Sequence, residues 1–373
     1  MKIVVKVGTS LITDENGLLN EASIKNLTKQ ISEISQKGYG VLLVSSGAIA
    51  AGLEALGKKE RPSELSGLQA AAAVGQGKLL ETYSRYFGEN GLKVGQVLLT
   101  QHDTAHREPY LNARHTLNSL TEMGVVPVIN ENDSVATEEI IRGDNDTLAG
   151  IVANIVEADL LLILSDVDGL MTSAENGEVI EEVSEITSKI MEMAGGASSE
   201  LTKGGMVTKL QAAEIATLGQ ASVVIANGHK QDVLTDIVLK NKKIGTFFKP
   251  AEKKLTGKKL WIAFSASERF TKGTLIVDEG AEKALLKGGK SLLPAGIKVV
   301  ISKKGFKAGD IIDLAGSDQK IFARGVSNYS SVEIEKIKGK RSDELDVEIP
   351  FDEVVHRDDL VILPITQNVT VKQ

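Results

Sequence analysis

The 373 residues predict an α/β fold, a mostly parallel sheet sandwiched by helices, followed by a small β-rich domain. Three observations predict it. Short β-branched runs alternate with helical patterns through the first two thirds of the chain. Those runs are apolar on consecutive residues, as strands covered on both faces are. Near Phe247 the pattern changes: a charged stretch with a proline, "FFKPAEKKLTGKK", gives way to short strands and turns. A chain of this length also exceeds what one core usually organises, so two domains are expected.

In chain order, the strand candidates of the front part are "KIVVKVG", "GVLLVSS", "LKVGQVLL", "VVPVIN", "DLLLILS" and "ASVVIANG". Between them lie helical patterns such as "EASIKNLTKQISEISQKG", and a clear one from Val207 that stops at Gly219. The stretch "QAAAAVGQG" is a small-residue helical segment suited to close packing. Alternation of this kind implies right-handed crossovers. The boundaries are set at 1–251 for the first domain, 252–257 for a linker and 258–373 for the β-rich domain.

Composition excludes several function classes. The chain has no cysteine, so disulfides, thiolate zinc sites and thiol nucleophiles are ruled out. The first residues, "MKIVVKVGTS", turn polar too soon for a signal peptide, and no apolar run approaches the ~20 residues of a membrane span. A cytoplasmic protein with no membrane partner is expected. Residues 257–373 carry 19 Lys+Arg and 17 Asp+Glu, and the first 256 carry 24 and 33. The acidic front argues against general nucleic-acid binding there, and the tail is only weakly basic.

In parallel α/β sheets, ligands sit beyond the carboxyl ends of the strands. The first strand ends in "KVGTS", where Gly8, Thr9 and Lys6 suit either a phosphate or an ordinary tight turn. The second ends in "VSSGAIAAG"; Ser46 is a candidate N-cap, and Gly47 follows it. The fifth ends in "LSDVDGLMT", where Asp166 needs a partner, either Mg²⁺ or a pair of lysines. Then "LTKGGMVTKLQAAEIATLG" supplies Lys203, Gly204 and Gly205 in a loop, with Thr208 and Lys209 near a helix start that favours anions. Glycine turns, lysines and an aspartate, without histidine or cysteine, suit phosphoryl transfer.

The connection "NENDSVATEEIIRGDND", residues 130–146, is crowded with short acceptors. A divalent metal, the ammonium of an amino acid and a solvated loop are its three readings. It lacks the alternating ligands of a calcium loop, which weakens the first.

Several stretches together carry a resemblance: "VVKVGTS", "VSSGAIAAG", "REPYLNARHTLNSL", "VVPVINENDSV", "GDNDTLAG", "DGLMT" and "GGMVTKLQAA". With them the chain resembles the amino acid kinase family, in its glutamate-phosphorylating branch. Its end, with "LIVDEGAEKALLKGGKSLLPAGIKVV", "GFKAGD", "IFARGVSNYSS" and "VVHRDDLVI", resembles a PUA domain. The resemblance implies transfer of phosphate from ATP, with Mg²⁺ carried on its phosphates, to the side-chain carboxylate of L-glutamate. The product, L-glutamyl 5-phosphate, opens proline synthesis. It implies that Lys6 and Lys209 neutralise the transferring phosphoryl group and that Asp166 orients them. It places Lys6, Gly8, Thr9, Ser165, Asp166, Lys203, Gly204, Gly205, Met206, Val207, Thr208 and Lys209 at ATP. It places Ser46, Asp133 and Asn145 at glutamate, with Gly47, Asn130 and Asp146 close by. No residue is assigned to a protein-held metal. Proline as feedback inhibitor, a dimer or tetramer, and hand-off of product to a glutamyl phosphate reductase are the implied partners.

Two alternatives remain open on sequence grounds. One is an RNA-binding or RNA-modifying protein on the same scaffold, disfavoured by Lys6 and Lys209, which a scaffold does not need. The other is an acetylglutamate kinase. Of His102, His106 and His115, the first two have a spacing that could put both on one helical face, but a metal site would want further ligands and the resemblance assigns none.

Overall fold

The structure is a computed structural model. It describes all residues except 59, 101–102, 105–106, 136–144, 174–176, 195–204, 253–254, 256, 265–270, 342–350 and 364–373. Two compact units divide the chain: Met1–Asp103 with Glu108–Lys254, and Leu255–Gln373 with residues 104–107.

The first unit is built on an eight-stranded sheet ordered β3-β4-β2-β1-β5-β7-β8-β6. The strands are β1 (Lys2–Val7), β2 (Gly40–Ser45), β3 (Lys93–Leu99), β4 (Val125–Glu131), β5 (Leu160–Ser165), β6 (Glu182–Val183), β7 (Ser222–Asn227) and β8 (Thr246–Phe248). All six runs expected from sequence are strands. Two more, β6 and β8, are too short to show a period, and β8 falls where the linker composition begins. The β7–β8 pair is antiparallel; every other pair is parallel. Continuous apolar runs are explained by burial on both faces: Ile3, Val4, Val5, Leu42, Leu43, Leu161, Leu162 and Ile163 are all inaccessible.

Helices of the first unit are α1 (Thr9–Ile12), α2 (Glu21–Gln36), α3 (Ala48–Ala55), α4 (Leu65–Glu89), α5 (Arg107–Glu122), α6 (Asp146–Ile155), α7 (Ser188–Met193), α8 (Met206–Leu218) and α9 (Val233–Val238). Asn20 caps α2 by accepting from the Ser23 amide, and the helix buries Ile24, Leu27, Ile31 and Ile34 on one face. Helices α3 and α4 touch backbone to backbone. A Cβ on Gly52 would lie 1.8 Å from the Ala71 carbonyl, and one on Gly75 would lie 1.8 Å from the Ala48 carbonyl. The small residues of "QAAAAVGQG" therefore allow an approach that any side chain would block.

The second unit carries a five-stranded sheet, β10-β9-β11-β12-β13. Its strands are β9 (Thr274–Val277), β10 (Ile297–Ile301), β11 (Ile311–Ala315), β12 (Ile321–Val326) and β13 (Leu360–Ile362). With α10 (Gly257–Phe264), α11 (Glu279–Gly288) and α12 (Ser331–Ile337), it encloses its own core around Leu275, Leu314, Phe322 and Ile334. Among the described residues no helix is long and apolar enough to cross a membrane.

Candidate active site

Strands β4, β2, β1 and β5 lie side by side and run parallel, so their carboxyl ends open on one edge of the sheet. Lys6 is the second-last residue of β1, Asn130 that of β4, and Ser45 and Ser165 close β2 and β5. Helices α6 and α8 bring Asp146 and Lys209, each within the first turn.

Three charged side chains meet there out of water. The Asp146 carboxylate is fully buried. One oxygen pairs with the Lys6 ammonium, and the other lies 3.3 Å from Lys209 Nζ. Thr208 Oγ1 donates to Asp146 Oδ2 at 2.9 Å. Burial works against ionisation of this carboxyl. The Lys6 and Lys209 ammonium groups and the Thr208 hydroxyl outweigh it and hold the group below the usual carboxylate range. A buried ion triad is poor as a source of stability, because desolvation offsets most of the attraction. It is suited to holding two mutually repelling cations close together for an anion.

The sequence placed Asp166 between the lysines; the structure places Asp146 there. Asp166 is exposed and accepts from its neighbour Ser165 Oγ at 2.9 Å. The reason is geometric. Asp166 has already left β5, whereas Asp146 starts a helix packed on β1, so its side chain lies against Lys6. Asp146, expected beside the substrate, instead contacts the lysines and Thr208.

Gly8 and Thr9 follow β1 directly. A Cβ on Gly8 would stand 3.8 Å from Lys6 Nζ, so glycine keeps the space beside that ammonium open. Gly205 is the N-cap of α8, and among the described residues no side chain caps the first amides of Met206, Val207 and Thr208. Lysine, open backbone and a helix N-terminus together fit a phosphate group. Lys203 and Gly204 lie outside the described residues.

Next to the triad is a pocket of about 200 Å³, lined by Ser46, Gly47, Asn130, Asp133 and Asn145 together with Arg61, among others. Ser46 was expected to cap α3. The N-cap is Gly47, at φ 97°, a left-handed conformation that glycine adopts without strain. Burial pushes the Asp133 carboxyl up to about 6, with the Arg61 guanidinium opposing the shift. Asn145 Nδ2 donates to the Ser45 carbonyl at 2.9 Å and to Asn130 Oδ1 at 2.6 Å. Asn130 Nδ2 in turn donates to Gln76 Oε1 at 2.8 Å. Lys58 and Arg61 line the pocket and Gln76 stands behind it; none of the three was singled out from sequence. A glutamine inside an otherwise small and apolar helical stretch was the available signal for Gln76.

The family model for the amino acid kinase family matches residues 1–227. The chain belongs to the amino acid kinase family. Residues 273–349 of this kinase match the PUA domain. Three similar relatives each carry the name "Glutamate 5-kinase". One from Caldanaerobacter subterraneus subsp. tengcongensis is 48% identical, over 97% of this chain and 98% of its own length. One from Thermoanaerobacter sp. strain X514 is 46% identical over the same shares. One from Moorella thermoacetica is 44% identical, over 97% of this chain and 96% of its own. The histidines His102 and His106 fall outside the described residues; among those described, no cluster of three or more histidine or acidic side chains has the placement of a metal site.

Proposed function

We propose that this kinase transfers the terminal phosphoryl group of ATP to the side-chain carboxylate of L-glutamate. The observation that carries the reading is the buried Lys6–Asp146–Lys209 triad adjoining a pocket that holds Asp133, Asn130 and Asn145. The names and coverage of the relatives support the same substrate.

An oxygen of the glutamate side chain attacks the terminal phosphorus. The carboxyl O–P bond forms, the bond to the bridging oxygen breaks, and ADP leaves with that electron pair. Lys6 and Lys209 lie where they can neutralise the charge shifting across the phosphoryl oxygens, and Asp146 holds both ammonium groups in place. Gly8, Thr9, Ser165 and the start of α8, from Gly205 to Lys209, form the nucleotide side. Mg²⁺ travels with the phosphates of ATP.

On the other side, Asp133 takes the α-ammonium as a charge-assisted acceptor. Lys58 and Arg61 supply positive charge toward the α-carboxylate, and Ser46 and Gly47 border the reacting end. The catalytic unit covers residues 1–251. The product is the precursor of proline, which competes for the pocket because it shares the α-ammonium and α-carboxylate. A homo-oligomer and hand-off of the labile product to a reductase complete the reading. The test is ADP release as a function of added acid: strict dependence on L-glutamate is expected, and ATP turnover indifferent to it would overturn the assignment.

A further inference from the structure

We infer that Gln76 is a positioning residue that fixes which atom the glutamate pocket presents to the α-ammonium, a step that rests on the glutamate reading above. The starting point is a row of three buried amides, Gln76, Asn130 and Asn145. Backbone groups, which cannot change their nature, set the orientation of Asn130 and Asn145, and Asn130 in turn sets that of Gln76. The Glu131 amide donates to Asn130 Oδ1 at 2.9 Å, so the Asn130 oxygen faces that amide and its nitrogen faces Gln76. That nitrogen requires an acceptor, which Gln76 Oε1 supplies at 2.8 Å. At the other end the Ser45 carbonyl accepts from Asn145 Nδ2, and Asn130 Oδ1 accepts from the same nitrogen. Both donor positions of the Asn145 nitrogen are thus used. Its oxygen remains, with no partner among the described residues, on a side chain that lines the pocket. An outward oxygen suits an ammonium; an outward NH₂ would repel it.

Helix α4 brings Gln76 within reach because Gly75, one residue earlier, packs against the α3 backbone where no side chain fits. Without the Gln76 acceptor, the buried Asn130 nitrogen is orphaned. Turning the amide to relieve that loss breaks its bond to Asn145, which is then free to present either face. Gln76 Nε2 is itself buried without a partner among the described residues. Only the oxygen of Gln76 is therefore used, and an oxygen in place of that nitrogen loses no bond.

The experiment compares wild type with Gln76→Leu, Gln76→Met and Gln76→Glu. KM for L-glutamate, KM for ATP, kcat, the inhibition constant of glutarate and thermal unfolding are measured for each. Glutarate keeps both carboxylates and lacks the ammonium. In the two variants without an acceptor, KM for glutamate should rise about tenfold or more. KM for ATP and the glutarate constant should stay within about threefold, and kcat should fall less than KM rises. Gln76→Glu, which keeps an acceptor oxygen, should restore KM to within about threefold of wild type. An unchanged KM in Gln76→Leu or Gln76→Met overturns the inference. So does a loss shared equally by glutarate, or a Gln76→Glu variant as impaired as Gln76→Leu. A shift in unfolding temperature without a change in KM also overturns it, since Gln76 would then only pack. A wild-type protein that ignores glutamate would instead overturn the substrate reading beneath it.

Discussion

Asn145 and Asp146 are neighbours in the chain and serve two different sets of partners. Asn145 bonds to Asn130 and the Ser45 carbonyl and lines the pocket, while Asp146 pairs with Lys6 and Lys209. One peptide bond thus joins a group that lines the pocket to the group that pairs with both buried lysines. The α6 N-terminus fixes both, so under the proposed function a single rigid element would align acceptor and phosphate.

From this arrangement, Asp146→Asn should be far more damaging than Asp166→Asn. The first leaves two buried ammonium groups without their shared counter-charge; the second alters an exposed carboxylate. Removing one member of a buried ionic group typically costs about 3–5 kcal/mol. A loss of kcat of about 10²-fold or more is expected for Asp146→Asn, with lowered thermal stability. Asp166→Asn should stay within about tenfold of wild type. Equal losses in the two variants would return the orienting role to Asp166.

Lys209→Ala should lower kcat by about 10²-fold or more and leave KM for glutamate nearly unchanged, because charge on the phosphoryl oxygens grows at the transition state. The lysine side chain is almost completely buried against Asp146, so the variant must also be checked for unfolding. Steady-state kinetics with both substrates varied decides it. A folded variant with normal turnover and only a raised KM would remove Lys209 from the chemistry.

The pH profile should report Asp133. Its carboxyl is raised to about 6 in the free protein by burial, and only the ionised form attracts an ammonium. kcat/KM for glutamate should therefore be flat above about pH 6 and fall about tenfold per unit below it. Asp133→Asn should lose that limb along with most of the affinity. The stability consequence has the opposite sign to that of a paired carboxylate. A folded-state value above the ordinary 3.8 means that the native protein binds this proton more tightly than the unfolded chain. The ionised group costs stability above about pH 6, and the cost disappears as pH falls toward the ordinary value. Asp133→Asn should accordingly raise the unfolding temperature of the ligand-free protein at neutral pH. A lowered one would show that the carboxylate is better paired than its burial indicates.

Much of this was legible before any coordinates. Continuous apolar runs ending in glycine or small polar residues mark buried parallel strands whose ends carry chemistry; Lys6 was read from such an end, Lys209 from a glycine loop at a helix start, and Asn145 from the family resemblance alone. The partner of the lysines was not, because Asp146 and Asp166 each border an apolar segment and nothing local separates them. What separates them is that α6 packs on β1 and α8, a contact among three segments far apart in sequence. Gln76 was hidden for a related reason. Its neighbours explain themselves as helix packing, and its amide acquires meaning only against Asn130, 54 residues away. Strands β6 and β8 were too short for a period to form, and pairing at the sheet edge makes them strands.

The structure also bears on which acid is phosphorylated. Free L-glutamate and N-acetyl-L-glutamate differ only at the α-nitrogen. In the proposed binding mode that nitrogen meets Asp133 and the oxygen of Asn145, whose own nitrogen is already committed to Ser45 and Asn130. The acetylated acid has no ammonium, adds bulk, and leaves Asp133 partly desolvated without a partner. Sites built around a polar group reject analogues that leave it unpaired, often by about 10⁴-fold. The choice has a chemical signature as well. The free amine of L-glutamyl 5-phosphate can attack its own acyl phosphate, forming the C–N bond of a five-membered ring and expelling phosphate. The acetylated product cannot close in this way. Both acids should be run side by side, following ADP release and the appearance of 5-oxoproline. ADP formation with glutamate should be accompanied by 5-oxoproline and inorganic phosphate in equal amount, and the acetylated acid should yield almost no ADP. Comparable turnover of the acetylated acid would mean that Asp133 does not meet an ammonium, and the pocket would have to be reassigned.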